Sequence, residues 1–216
     1  MTIKYLGHAS FFIKSKDARV VTDPYDPSIG IKFPKIEADI VTVSHDHPDH
    51  ARPDLVQGAP LIIDWPGEFE KNGVRIFGYK SWHDKEKGAQ RGENILFKIE
   101  IENISILHCG DMGVIPDDKL LDEIGEVDIL LVPVGGHYTI DSSEAISFIK
   151  AVEPSIAIPM HYNDPSKLDQ KVFKELTTLD EFAKKFEGAK VTEDQLTIKK
   201  DELTEETRLV ILNPEK

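Results

Sequence analysis

Cysteine is almost missing from this chain. Cys109 is the single one in 216 residues, which excludes an internal disulfide and fits a reducing compartment. Positive charge is also scarce: 26 Lys and Arg stand against 39 Asp and Glu, a net charge of −13. Phosphate-backbone binding needs clustered basic residues, so nucleic acid is not expected as the main partner. No apolar stretch approaches the roughly 18 residues that would suggest a membrane span. Residues Met1–His8 lack the long apolar core of a signal peptide. A cytoplasmic location is therefore expected. Low-complexity segments, linkers and clear internal repeats are absent as well, and the length suits one domain covering residues 1–216.

What the chain does have is histidine, eight in all, three of them within Ser44-His45-Asp46-His47-Pro48-Asp49-His50. This segment follows the apolar run Ile40-Val41-Thr42-Val43, which reads as a short buried strand, so the cluster sits where a strand ends and the chain turns. Imidazole nitrogen and carboxylate oxygen are the donor types that suit zinc, manganese or iron. If the segment is extended, His45 and His47 point the same way and can grip one metal, while Asp49 and His50, beyond Pro48, can face a second. With this chain's histidine content, HxHxDH is expected by chance about once in a thousand such sequences, which favours a metal site over a histidine-rich surface loop.

Around this centre the chain reads as alternating short strands and a few helices. Residues 2–6, 9–13 and 18–22 form an antiparallel meander with a turn at Ser15-Lys16-Asp17. A loop with Pro27, Gly30 and Pro34 occupies 24–38, a short helix 52–57, and a buried strand 61–63. Strands follow at 74–80, 94–101 and 104–108, with Glu102-Asn103 as a hairpin turn. A helix covers 116–124 and a strand 128–132. A second helix starts with Asp141 as N-cap and Glu144 reaching back, and buries Ala145, Ile146, Ile149 and Val152. A strand at 155–158 ends at Pro159, a helix covers 179–186, and strands at 195–199 and 207–212 close the chain. Residues alone support a layered mixture of α and β.

HxHxDH after a short apolar strand resembles the signature of the metallo-β-lactamase superfamily. The resemblance implies a four-layered αββα sandwich, the metallo-β-lactamase fold, with the metal site at one edge of its two β-sheets. It further implies a later His, an Asp in a Gly-Asp pair and a final His, matched here by His83, Asp111 and His161. On that basis His45, His47 and His83 hold one metal, Asp49, His50 and His161 hold the other, and Asp111 bridges. Two divalent ions are implied, zinc first, with manganese or iron as alternatives. Cys109 is a possible thiolate ligand in this setting, but Asp111 already fills the family position, so a small buried hydrophobe is the preferred role.

Gly7-His8-Ala9-Ser10, Thr22-Asp23-Pro24, Pro133–Thr139 and Pro159–Tyr162 further resemble one branch of the superfamily. It contains an ascorbate-phosphate lactonase, a phospholipase D acting on N-acyl ethanolamine phospholipids, and many uncharacterised hydrolases. In that branch Asp23 matches a position that buttresses the site. His8 and His108 are open to core, turn or functional roles alike. His137, on a loop beside Gly135 and Gly136, is read as functional. Arg91, near a flexible stretch 84–91, is read as a solvated hairpin residue, with an anion clamp as the alternative.

The expected function is a metal-dependent hydrolase. A hydroxide activated by two metals attacks a small ester, lactone or phosphodiester. Asp49 and Asp111 orient it, and His137 or His108 donates a proton to the leaving group. The partner is a small-molecule substrate, anionic or neutral. The alternatives are a metal- or ligand-binding sensor or scaffold without turnover, and an iron oxidoreductase of the kind that usually carries a flavin domain. The ligand set is shared across lactams, lactones, thioesters and phosphodiesters, so it does not name the bond cleaved.

Overall fold

The computed structural model describes residues 1–215. Among them, two mixed β-sheets pack face to face. The smaller sheet is built from β1 (Thr2–Gly7), β2 (Ser10–Lys14), β3 (Arg19–Thr22), β4 (Ile40–Thr42), β5 (Leu61–Ile63) and, at its other edge, β13 (Leu196–Thr197). The larger runs β12-β14-β11-β10-β9-β8-β7-β6, comprising β6 (Gly67–Lys71), β7 (Val74–Trp82), β8 (Glu93–Ile101), β9 (Ile104–His108), β10 (Ile129–Pro133), β11 (Ile156–Met160), β12 (Lys190–Glu193) and β14 (Arg208–Leu212).

Strand alternation divides the smaller sheet's side chains between two cores. Ile3, Phe11, Val20 and Ile40 face the larger sheet, while Leu6, Val21, Val41 and Val43 face outward into a second cluster. That outer cluster is closed by Tyr25, Ile29 and Phe33 from the 24–38 loop and by Leu168, Phe173 and Leu176. Strands β9, β10 and β11 are parallel neighbours, and β10 and β11 are buried along their whole length. Such strands need cover on both faces. Part of it comes from α2 (Ser142–Val152), which contributes Ala145, Phe148 and Ile149. The Asp141 cap is present with both arms of its capping box; Ile146 and Val152 are half-buried beside it, and the fully buried Phe148 was absent from the expected face. The other helices are α1 (Asp118–Ile124), capped by Asp117, and α3 (Leu179–Lys185), capped by Thr178.

Several local expectations change. Residues 52–57 make only a single 3-10 turn, Pro53–Leu55, because Pro53 opens it and the chain is extended again at Val56. The strand expected to stop before Pro159 runs on to Met160. β14 pairs only with Ile156 and Ala157, so by Pro159 the strand has β10 as its one partner and a missing N–H is tolerated. β6 and β12 were not anticipated as strands.

The directions of the strands place the site. β1, β3, β4, β7, β9, β10 and β11 all end toward one edge of the sandwich, and a polar residue follows most of these ends within a few positions: His8, Asp23, His45, His83, Asp111, His137 and His161.

Candidate metal centre

Asp111 is the hub of that edge. Its carboxylate is almost fully buried, with Oδ2 lying 3.2 Å from His83 Nε2, 3.1 Å from His161 Nε2 and 3.9 Å from His45 Nε2, and Oδ1 3.1 Å from His50 Nε2. Gly110 makes this approach possible. It sits at φ +53°, and a Cβ there would fall 2.4 Å from Asn94 Oδ1 and 2.5 Å from Ser44 Cβ, so the chain turns where a side chain would collide. Asn94 clamps the turn, accepting from the Asp111 amide at 2.9 Å and donating to the Cys109 carbonyl at 3.0 Å.

Nitrogen and oxygen donors gather in two sets beside Asp111. His45, His47 and His83 have ligand atoms within 4.8 Å of one another, and so do His8, Asp49, His50 and His161. The backbone from His45 to His47 is a bend rather than an extended strand, yet the two imidazoles still converge, 4.5 Å between centroids. All seven residues expected as ligands are therefore brought together. His8 joins them unexpectedly, its Nε2–H donating to Asp49 Oδ2 at 3.1 Å. The signals for it were its place directly after the first strand and the likeness of Gly7-His8-Ala9-Ser10 to one branch of the superfamily, neither of which named a partner.

Behind the donors lies a supporting layer. His50 Nδ1–H donates to Asp23 Oδ2 at 2.8 Å, and His45 Nδ1–H reaches Ser44 Oγ at 2.9 Å, which in turn donates to Asp23 at 2.6 Å. Both rings are thereby fixed with Nε2 facing the pocket, the usual arrangement for metal-ligating histidine. His108 plays a different part. Its Nε2–H donates to the Ala9 carbonyl at 2.8 Å, joining β9 to the β1–β2 turn, and its Nδ1 accepts from the Gly110 amide two residues on, so both nitrogens are engaged. That removes it as a proton donor. Cys109 is completely buried in the main core, and burial pushes its thiol up, as expected of a structural cysteine.

Burial and charge pull against each other here. Burial pushes the Asp111 carboxyl up, but His161 and His50 outweigh it and hold it well below the usual carboxylate range. Burial likewise opposes ionisation of Asp49, and His50 and the His8 hydrogen bond outweigh it, leaving it low. Burial, with His161 next to it, pushes His8 down to about 4, so it is neutral near pH 7. His8, Asp23, His137 and His161 all sit at positive φ, a conformation that non-glycine residues rarely adopt and that concentrates at functional sites.

Whether the pocket suits a metal can be tested on its unsatisfied atoms. His45 Nε2, His50 Nε2, both nitrogens of His161 and Asp111 Oδ1 are buried without a hydrogen-bond partner. Leaving such groups unpaired costs about 1–3 kcal/mol each, a cost that metal coordination removes. The donor set fits divalent cations of the zinc, manganese or iron type.

His137 stands apart from these sets. Its exposed imidazole packs edge-on against Tyr138, 4.4 Å between centroids, and borders a cavity of about 350 Å³ that His83 also lines. The stretch 84–91, expected to be flexible, is instead a compact loop tied to one buried carboxylate: Asp84 accepts four backbone N–H bonds, from Glu86, Gly88, Gln90 and Arg91, at 2.7–3.0 Å. Nothing in the local sequence marked Asp84 for this.

Asp23→Asn keeps the size of the side chain while removing the charge behind His50. Metal affinity is expected to fall about 10–100-fold, the usual effect of losing an outer carboxylate partner. Titration with a competing chelator checks it, and unchanged affinity would deny Asp23 its orienting role.

Comparison with known proteins places these features in context. Residues 2–161 match the beta-lactamase superfamily domain. A UPF0173 metal-dependent hydrolase from Thermococcus onnurineus is 31% identical over 205 residues, covering 81% of this chain and 91% of that protein. Another from Carboxydothermus hydrogenoformans is 33% identical, covering 76% and 85%. A solved structure from Thermotoga maritima, described as a candidate Zn-dependent hydrolase of the metallo-β-lactamase superfamily, superposes with a TM-score of 0.80 at 35% identity, covering 99% of each chain.

Proposed function

Starting from a chain that belongs to the metallo-β-lactamase superfamily and, within it, to the UPF0173 metal-dependent hydrolases, we propose a hydrolase that uses two divalent ions, zinc foremost, on a small ester, lactone or phosphodiester. The observation carrying this reading is the Asp111 carboxylate, set between four imidazoles that come from both donor sets. One ion would be held by His45, His47 and His83, the other by Asp49, His50 and His161, with Asp111 shared. Ions in those places supply a water nucleophile near neutral pH and a Lewis acid for the substrate oxygen.

The chain's own residues do the rest. Asp49 and Asp111 orient the nucleophile in this reading. His8 holds Asp49 through its Nε2–H and, through its backbone carbonyl, accepts the His161 amide at 2.8 Å. It thus positions two members of one donor set. His137 lines the same cavity as His83 and, in this reading, gives a proton to the leaving group. The likeness of Gly7–Ser10 to the lactonase and phospholipase D branch supports an ester or phosphodiester bond over a lactam. Residues 1–216 act as one catalytic domain in this reading. No helix among the described residues is long and apolar enough to cross a membrane, and a small-molecule substrate suits a pocket bordered by cavities of a few hundred Å³.

Metal quantitation on the purified protein, followed by an ester, lactone and phosphodiester panel with metal removal and add-back, tests the proposal. The expected result is two ions per chain and hydrolysis that disappears on chelation and returns with metal. Bound metal with no turnover on any class would instead favour a sensor or scaffold.

A further inference from the structure

Two cavities open beside the histidine–aspartate cluster, and Arg91 lines both. One, of about 350 Å³, includes His83, His137 and Tyr138; the other, of about 420 Å³, includes His45, His47 and Trp65. Arg91 therefore stands between them, with candidate ligands of the first donor set on either hand.

Its position is built rather than incidental. The Arg91 amide donates to Asp84 Oδ2 at 2.7 Å, the shortest of the four bonds that organise the loop between β7 and β8. His83, a candidate ligand, lies immediately before Asp84 and its amide donates to the Gly92 carbonyl, so the loop joins ligand and arginine in one unit. The guanidinium lies over the Tyr138 ring, 5.4 Å from its centroid, and the Tyr138 hydroxyl is itself anchored to the Val172 carbonyl at 3.1 Å. This cation–π contact holds the group near the ring without using its N–H donors.

Charge partners point the same way. Arg19, Arg52 and Arg75 are each paired with a carboxylate. Among the described residues Arg91 and Arg208 have no such pair, and of these two only Arg91 lines the cavities beside the cluster, Arg208 opening β14. Of the acids lining the two cavities, Asp84 is engaged by four amides, Asp141 and Glu144 in capping α2, Glu144 also with Lys85, and Glu93 with Lys80; Glu86, Asp46 and Asp64 line them too, but none lies within ion-pair distance of Arg91. A half-buried, pre-oriented guanidinium without a carboxylate, in a chain with a net charge of −13, is a place for an anion to dock from outside.

We propose that Arg91 is the anion subsite of this pocket, binding a carboxylate or phosphate group that the substrate carries apart from the bond to be cleaved. The idea rests on the cluster being the hydrolytic centre. The substrate class then narrows to esters, lactones or phosphodiesters bearing an additional oxyanion.

Two esters with the same leaving group and scissile bond separate the effects: 4-nitrophenyl acetate, which is neutral, and mono-4-nitrophenyl succinate, which adds a carboxylate. Arg91→Gln is expected to lower kcat/KM for the succinate about 10–100-fold, mainly through KM, the usual range for a hydrogen bond to a charged group. The acetate should change less than about twofold, and metal content should hold. Arg91→Lys should recover part of the loss, since it keeps the charge but not the planar fork. Equal losses on both esters, or a fall in metal content, would mean that Arg91 only supports the loop and would overturn the proposal. Calorimetric titration of the metal-loaded protein with succinate is independent of turnover. Binding that weakens about tenfold or more in Arg91→Gln supports the subsite even if no ester is hydrolysed, in which case the hydrolase reading fails alone. No succinate binding to the native protein, or equal binding to both, overturns it.

Discussion

Asp111→Ala is expected to lose metal and activity together. Native protein should carry two ions per chain, and the variant at most one. Hydrolysis should fall by at least about 10²–10³-fold, the scale of removing one preorganised electrostatic group from a reacting centre. The expectation follows from the position of the carboxylate. It lies within 3.1–3.9 Å of four imidazoles, two from each donor set. Removing it also leaves His50, buried and held well above its ordinary range against burial by Asp111 and Asp49, with one carboxylate fewer facing Nε2. Metal stoichiometry and turnover on the same preparation decide the matter. A variant that retains both ions and full turnover would sink the shared-ligand assignment. Asp111→Asn is the companion, since it keeps the volume and should fail in the same way if charge is what matters.

The second large effect concerns His137, which neither donor set requires. The turn that carries it is packed against the centre: a Cβ on Gly135 would lie 2.2 Å from the His161 carbonyl oxygen, so only glycine permits this approach. His137 follows two residues later at φ 55°, its ring exposed to the cavity shared with His83. If it donates a proton to the leaving group, His137→Ala should leave metal content unchanged and slow turnover about 10²–10⁴-fold. The loss should be greatest for poor leaving groups, which most need a proton in the transition state. A rise in KM with kcat held would make it a binding residue instead. Lower thermal stability with both constants unchanged would reduce it to loop support. Two substrates that differ in leaving-group pKa separate these outcomes, and an unchanged kcat on the poorer leaving group ends the catalytic reading.

Much of this architecture is carried by short-range pattern. The apolar runs 40–43, 104–108 and 156–158 are strands because each is brief, β-branched and bounded by turn residues, and each is followed by the polar residues of the site. Glu102-Asn103 makes the expected hairpin turn, both residues at positive φ as such a turn requires. Asp141 and Glu144 cap their helix through bonds that span three residues. Donor type is equally local: histidine and aspartate at strand ends point to a metal wherever the strands finally lie.

Tertiary structure decided what depends on distant partners. β6 and β12 are edge strands with mixed exposure, Gly67–Lys71 and Lys190–Glu193, and each is a strand because β7 or β14 supplies hydrogen bonds, not because it has an apolar face of its own. Asp84 binds four amides further along its loop, and Arg91 stacks on a tyrosine 47 positions away in the sequence (138 − 91). His8 was one of three histidines with no assigned partner until β1 brought it to Asp49, 41 residues along the chain. The reason is physical. Periodicity, capping and donor chemistry belong to a few consecutive residues and survive in any context, whereas edge pairing, the shared position of Asp111 and the freedom of Arg91 exist only once the two sheets have closed on each other.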